Sequence, residues 1–213
     1  AMCGRFPQSR LIQRYMEEVY PEWRDEPAES RAPTWNLAPS TLAWTIRVIE
    51  SQPQPSLLKW GFSDGVTTKG MAPINARIET ADELYLFRHS WKQRRCLVPA
   101  DGWYEWKAEG TGKQPYYFTR LDGKPVFFAG IWSSNTFATI TMTADGELAK
   151  VHHRKPVTLD APEAREWISG RPMVATSLIL LAVTAPAFTF YPVGKAVSSW
   201  KNDGPQLIER IAA

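Results

Sequence analysis

Between residues 95 and 143 the chain carries five apolar segments in close succession: Cys96 to Ala100, Trp103 to Lys107, Tyr116 to Leu121, Val126 to Trp132 and Phe137 to Thr143. Turn-forming residues separate them at Asp101-Gly102, Glu109 to Lys113, Asp122-Gly123 and Asn135, so each segment reads as a strand joined to the next by a short reversal. Closely spaced antiparallel strands of this kind favour a barrel or a highly curved sheet. That run constrains the fold more than any other stretch of the chain.

The flanking sequence adds helices and further strands. Ser9, followed by Leu11, Ile12, Tyr15, Met16 and Val19, predicts a Ser-capped amphipathic helix of about three turns that ends before Pro21. Glu22 to Pro33 reads as an exposed connection, after which Trp35-Asn36-Leu37-Ala38-Pro39 leads to a β-rich run at Trp44 to Ile49. Gln52 to Pro55 reads as a turn, Leu57 to Gly61 as a strand, and Ser63 to Gly70 as a polar, glycine-flanked loop. Helical spacing recurs in Leu84, Phe87 and Trp91 within Ala81 to Trp91. Asp160 and Pro162 open a short helix through Trp167, a strand covers Phe188 to Val193, and Asp203 to Ile211 closes with another helix. The expected class is α+β: a single domain built on a curved antiparallel β-sheet or barrel with flanking helices.

Composition narrows the function classes. With 213 residues, 44% of them hydrophobic, one compact domain is the default. It is expected to cover residues 3–213, with Ala1 as a cloning scar and Met2 as the initiator. A net charge of +3 makes any attraction for a polyanion local rather than global. Two cysteines make no disulfide framework, and three histidines provide no zinc spacing, so neither metal nor cofactor is expected. No apolar run approaches a membrane span, and the N-terminus lacks a signal peptide's apolar core, so a cytoplasmic protein is expected. Ten tryptophans are a surplus that serves either a core of large rings or a platform on which bases stack.

Four polar stretches sit where a merely structural role is awkward. The first is Cys3-Gly4-Arg5: removal of everything before Cys3 creates a 1,2-aminothiol, which with an aldehyde forms an imine and then a thiazolidine ring. In the second, Ile74 to Thr80, extended backbone would put Asn75, Arg77 and Glu79 on one face. The third, Ala100 to Trp106, places Glu105 among tryptophans, where desolvation raises a carboxyl pKa. The fourth is Val151-His152-His153-Arg154-Lys155-Pro156, in which spacing alone chooses neither histidine. Together these stretches supply a nucleophile, a buried acid, a histidine, arginines and tryptophans on a β scaffold.

In chain order, Met2-Cys3-Gly4-Arg5-Phe6, Asn36 to Pro39, Trp60-Gly61, Ile74 to Arg77 with Glu79-Thr80, Arg95 to Trp106 and His152-x-Arg154-x-Pro156 resemble the SOS-response-associated peptidase (SRAP) family. The resemblance spans nearly the whole chain. It implies a sensor of abasic sites in single-stranded DNA that forms a covalent thiazolidine crosslink through the N-terminal cysteine. By that resemblance Cys3 is the nucleophile, Glu105 the base for its α-amine, His152 the acid and base on the sugar oxygen, and Asn75 the group that holds the reacting atoms. Arg5 and Arg77 would pair with phosphates, Trp60 and Trp106 would stack on bases, Pro39 would act as a wedge, and Thr143 would contact DNA. The partner implied is single-stranded DNA with an abasic site, bound by a monomer associated with the nucleoid at damage.

The chain departs from the family pattern in the stretch Phe62 to Thr68 after Trp60-Gly61, and at Lys155, which adds a charge where the family often has methionine. Two other readings of the same residues remain: a cysteine peptidase using Cys3, His152 and Asn75, in the limit removing only its own Met2, and a noncatalytic single-strand-binding module.

Overall fold

The turn signals are realised as hairpins in a computed structural model, which describes residues 4–65, 70 and 72–212. In chain order the elements are β1 (Phe6–Gln8), α1 (Ile12–Val19), β2 (Thr34–Leu37), β3 (Leu42–Ile49), β4 (Gln52–Trp60), β5 (Asn75–Arg77), α2 (Tyr85–Gln93), β6 (Arg95–Ala100), β7 (Trp103–Glu109), β8 (Gly112–Arg120), β9 (Val126–Ser133), β10 (Thr136–Thr143), β11 (Arg154–Pro156), β12 (Thr158–Leu159), α3 (Ala161–Ile168), α4 (Ala175–Leu181) and β13 (Phe188–Pro192). Five of the strands close a ring in the order β10, β4, β3, β6, β9 and back to β10. Closure removes the edges that an open sheet would leave unpaired.

The α+β class and the closed, curved sheet agree with the sequence reading, but the sheet is not wholly antiparallel. β4 meets β10 in parallel, with Phe137 opposite Trp60, and β5 runs parallel to β10 from Thr139 opposite Asn75 to Thr141 opposite Arg77. Hairpins impose antiparallel pairing only on neighbours in sequence. β10 lies far from β4 and β5 along the chain, so no turn dictates their sense.

Strand alternation sends side chains to two cores. Along β9, Phe127, Ala129 and Ile131 join Trp91, Trp167 and the buried faces of α1 to α4, whereas Val126 and Phe128 join Phe6, Trp60, Cys96 and Phe137. Both faces are buried, which is why the sequence reads as continuous apolar runs. A second sheet, β7-β8-β13, packs Trp103 on Phe118 with centroids 5.0 Å apart. Gln8 ties β1 to this framework as a surrogate strand residue: its Oε1 accepts from Trp44 N–H (2.9 Å) and its Nε2 donates to Trp44 O (3.0 Å) and Pro99 O (2.7 Å).

Three local expectations are corrected. Ser9 does not cap α1; its N–H and hydroxyl both bond the buried Asp101 carboxylate (2.6 and 2.8 Å), and the helix spans 8 residues. Gln52 to Pro55 is not a turn but the start of β4; the chain reverses at Glu50 and Ser51, whose φ angles are 50° and 64°. Pro53 and Pro55 are tolerated because β4 pairs with β10 only at its far end, leaving the second edge unladdered there. Asp203 to Ile211 forms only a 3₁₀ turn at Pro205–Ile208, because Ile211 N–H bonds Pro192 O instead of continuing a helix. Among the described residues, no helix is long and apolar enough to cross a membrane.

Gly102 shows how tightly the link between β6 and β7 packs on β8. A Cβ there would lie 2.0 Å from Phe118 O, an overlap with backbone that no side-chain rotation relieves. Gly102→Ala is therefore expected to cost at least about 1–3 kcal/mol, the usual range for overpacking. Urea unfolding measures it, and a midpoint equal to that of the parent would contradict this account.

Candidate functional site

Cys3 lies outside the described residues, but the segment that follows it is well defined. Arg5 O accepts from Tyr104 N–H (3.1 Å), laying the segment beside β7 at the residue before Glu105. On its other side, a Cβ at Gly4 would stand 3.8 Å from Cδ1 of Ile74, the residue before Asn75. Gly4, Arg5, Pro39, Ile74, Trp106, Lys113 and Ser198 line one cleft of about 330 Å³. The fold thus brings the first, second and third polar stretches to one place.

Asn75 begins β5, where strand alternation buries Ala76 and exposes Arg77. Its Oδ1 accepts from Thr139 Oγ1 (2.6 Å), which orients the amide and sets its NH₂ at the opposite end of the group. Glu105 is 1% exposed, which removes its carboxylate from bulk water. Trp106 is half-buried at the cleft wall and donates its Nε1–H to Ser198 Oγ (2.9 Å). Pro39 also lines the cleft. The exposed Thr143 ends β10, its Oγ1 3.4 Å from Arg154 Nη1.

His152 precedes β11 and is partly buried. Its Nδ1 accepts from Arg154 N–H (3.1 Å) and lies 3.2 Å from Arg154 O. The backbone of this one residue can therefore hold the neutral ring through its N–H or the protonated ring through its C=O. Burial pulls the His152 pKa below its ordinary 6.5 against the hydrogen bond to Arg154, and the neighbouring charges of His153 and Lys113 act in the same direction as burial. β10 connects the fourth stretch to the second, pairing with β11 at Thr143 opposite Arg154 and with β5 at Thr139 opposite Asn75. The His152 ring is held by the Arg154 backbone, and Asn75 Oδ1 accepts from Thr139 Oγ1.

Several expectations change. Trp60 is 0% exposed, stacked on Phe137 and edge-on to Phe6, so no base can reach it. Its indole N–H bonds Ile74 O (3.0 Å), and it acts by holding the wall of the cleft next to Asn75. Arg5 is committed to the chain's own acceptors: Nη1 to Asn36 Oδ1 (3.0 Å) and Val197 O (2.7 Å), and Nη2 to Ser198 O (3.2 Å). It anchors the N-terminal segment to the C-terminal wall, which leaves Arg77 as the exposed arginine of the pair. Glu79 falls beyond β5, so it does not continue the face of Asn75 and Arg77. Lys155 adds no charge to the cleft: it is 2% exposed, ion-paired with Asp145, and donates to Val183 O (3.0 Å). Of the loop Ser63 to Gly70, residues 66–69 lie outside the described residues.

The sequence reading missed Lys113, Ser198 and the role of Arg154. Lys113 is the second residue of β8, just after the hairpin turn, and Ser198 ends a 3₁₀ turn, so neither carries a periodic signal. Arg154 is 7% exposed, bidentate to Glu79 (2.5 and 2.9 Å), and bonded to Thr141 O (2.9 Å). Its pairing with Glu79 fixes the peptide that holds His152.

Fold and cleft together define a single-domain protein that delivers its N-terminal segment to a groove rimmed by proline and tryptophan. The chain belongs to the SOS response associated peptidase (SRAP) family, whose model matches residues 2–200. It is 35% identical over 226 residues to the abasic site processing protein YedK of Escherichia coli (strain K12), covering 99% of this chain and 100% of that one. It is 32% identical to the abasic site processing protein YoqW of Bacillus subtilis (strain 168), covering 98% and 99%. A phage-related protein from Bordetella bronchiseptica has a similar crystal structure, with a TM-score of 0.76 at 33% identity over 90% of this chain and 94% of that one.

The Glu79 carboxyl is held below its ordinary 4.5, chiefly by the Arg154 hydrogen bond and against partial burial. A depressed carboxylate pKa stabilises the fold above the unfolded value, and that stabilisation is lost as pH falls through the folded value. Glu79→Gln should therefore flatten the fall in stability between about pH 5 and pH 3, measured by urea unfolding. An unchanged slope would show that the pair does not contribute.

Proposed function

We propose that this chain processes abasic sites in single-stranded DNA by forming a thiazolidine crosslink through Cys3 once Cys3 is the N-terminal residue. The observation that supports this reading is a cleft lined by Gly4, Arg5, Ile74 and Trp106, the sequence neighbours of Cys3, Asn75 and Glu105, with the strand after His152 paired to the same β10 as Asn75. The names of the relatives support the lesion class.

An abasic deoxyribose equilibrates between a closed hemiacetal and an open aldehyde, and only the aldehyde reacts. His152 donates a proton to the sugar oxygen during opening and takes one back. The α-amine of Cys3, with an ordinary pKa of about 7.7–8.0, loses a proton to Glu105 and attacks the aldehyde carbon. Water leaves to give an imine; the thiol then adds across the C=N bond, its proton passing to nitrogen, so the net reaction releases one water. Asn75, oriented by Thr139, hydrogen-bonds the reacting oxygen. Arg77 and Thr143 contact the backbone phosphates, Trp106 stacks on a flanking base, and Pro39 wedges beside the lesion. Binding by phosphate contact and stacking reads little sequence and weakens with salt.

The test is a denaturing gel of protein beginning at Cys3 with a single strand carrying one abasic site. A heat-stable shifted band is expected with that strand, and none with the intact strand or with Cys3→Ala. Absence of the band, with a free N-terminal Cys3 verified by mass spectrometry, would sink the reading. The chain with Ala1-Met2 attached has an amide nitrogen at Cys3 and is expected to bind without crosslinking. Burial lowers the His152 pKa, so the ring gains the proton it donates only as pH falls below its ordinary 6.5. The ratio of the parent's crosslinking rate to that of His152→Gln should therefore rise as pH falls through that range, and a ratio independent of pH would contradict the acid role.

A further inference from the structure

The turn that follows the cleft wall carries an exposed aromatic ring that the steps above do not use. Trp200 is 65% exposed, whereas the other nine tryptophans are buried or half-buried. Among the described residues its one ring contact is Lys201, whose Nζ lies 6.0 Å from the ring centroid. We infer that Trp200, with Lys201 beside it, is a second stacking platform for single-stranded nucleic acid at the rim of the cleft. The inference rests on the DNA-directed reading above and extends it to a nucleotide outside the reactive site.

Three observations carry it. The backbone that presents Trp200 is held in advance: Asn36 Nδ2 donates to Ser199 O (3.0 Å) and Asn202 O (2.8 Å), Asn202 Nδ2 to Ala196 O (2.8 Å), and Asn202 N–H to Ser199 O (3.2 Å). A ring kept in water on an ordered turn binds a flat partner without the cost of ordering its backbone. Ser198, two residues before Trp200, lines the cleft and accepts from Trp106 Nε1. Trp106 thus lines the cleft, and Trp200 follows two residues after the serine that Trp106 bonds. Finally, three lysines are exposed here: Lys113 lines the cleft, Lys195 opens the 3₁₀ turn that ends at Ser198, and Lys201 follows Trp200. The nearby Asp203 carboxylate is engaged by the N–H groups of Trp35 (2.7 Å) and Gly204 (2.8 Å). Aromatic faces interleaved with ammonium groups suit bases and phosphates of a single strand.

The experiment measures affinity by anisotropy with labelled single strands carrying an aldehyde-free abasic analogue, so that binding is read without crosslinking. With a strand long enough to reach the rim, Trp200→Ala should weaken binding about 5- to 100-fold, and Trp200→Phe should restore most of it. Lys201→Ala should reduce the salt slope by about one. With a three-nucleotide strand Trp200→Ala and Lys201→Ala should match the parent. Equal affinity of Trp200→Ala and parent for the long strand would overturn the inference while leaving the proposed function intact. Concentration-dependent dimerisation of the parent, abolished by Trp200→Ala, would overturn it in favour of self-association. Failure of the parent to bind any single strand would overturn the DNA-directed reading itself, and this inference with it.

Discussion

The structure depends on the pairing of β10 along both of its sides. With β4 and β9 it closes the ring, with β5 it positions Asn75 and Arg77, and with β11 it positions Arg154 and the histidine before it. Each of these pairings brings together segments of different sequence separation, and the two parallel ones join segments that no hairpin could bring together. The long-range closure costs loop entropy, which the aromatic core of Trp60, Phe137, Phe6 and Phe128 offsets. Because the cleft is assembled on the outside of this seam, a disturbance of the seam reaches Asn75 and His152 together.

The charged groups divide by whether the fold already uses them. Arg5 and Arg154 are each held by several acceptors of the chain itself, and Lys155 is buried against Asp145. A buried charge without such partners would cost several kcal/mol, so each must be matched where it lies. Arg77, Lys113 and Lys201 are exposed, and their charge is available to a polyanion. This division explains how a chain of net charge +3 can present a locally basic rim.

Much of the fold was legible because strand and turn signals are local. The five central strands and α3 stand close to where their patterns put them. The misreadings occurred where a distant partner overrode a local preference: Ser9 was drawn to Asp101, Pro53 and Pro55 were admitted by an unladdered edge, and Ile211 was captured by Pro192. β5, β11 and β12 have two or three residues each and exist only through pairing with β9 or β10, so no periodicity could announce them.

At the site, the residue types alone determined the available chemistry: a cysteine able to become an aminothiol, a carboxylate among aromatic residues, an amide, a histidine, and arginines for phosphate. Which of them act at the surface was decided by tertiary structure. Trp60 and Trp106 are equivalent as indoles, yet burial makes one a wall of the core and leaves the other at the cleft. Arg5 and Arg77 are equivalent as cations, yet three acceptors from the chain hold the first and leave the second exposed. The sequence by itself determined functional groups, strands and turns, because these depend on side-chain chemistry and short-range backbone preference. Only the closed fold decided exposure, orientation and partnership, because these depend on which distant segments share the same few ångströms.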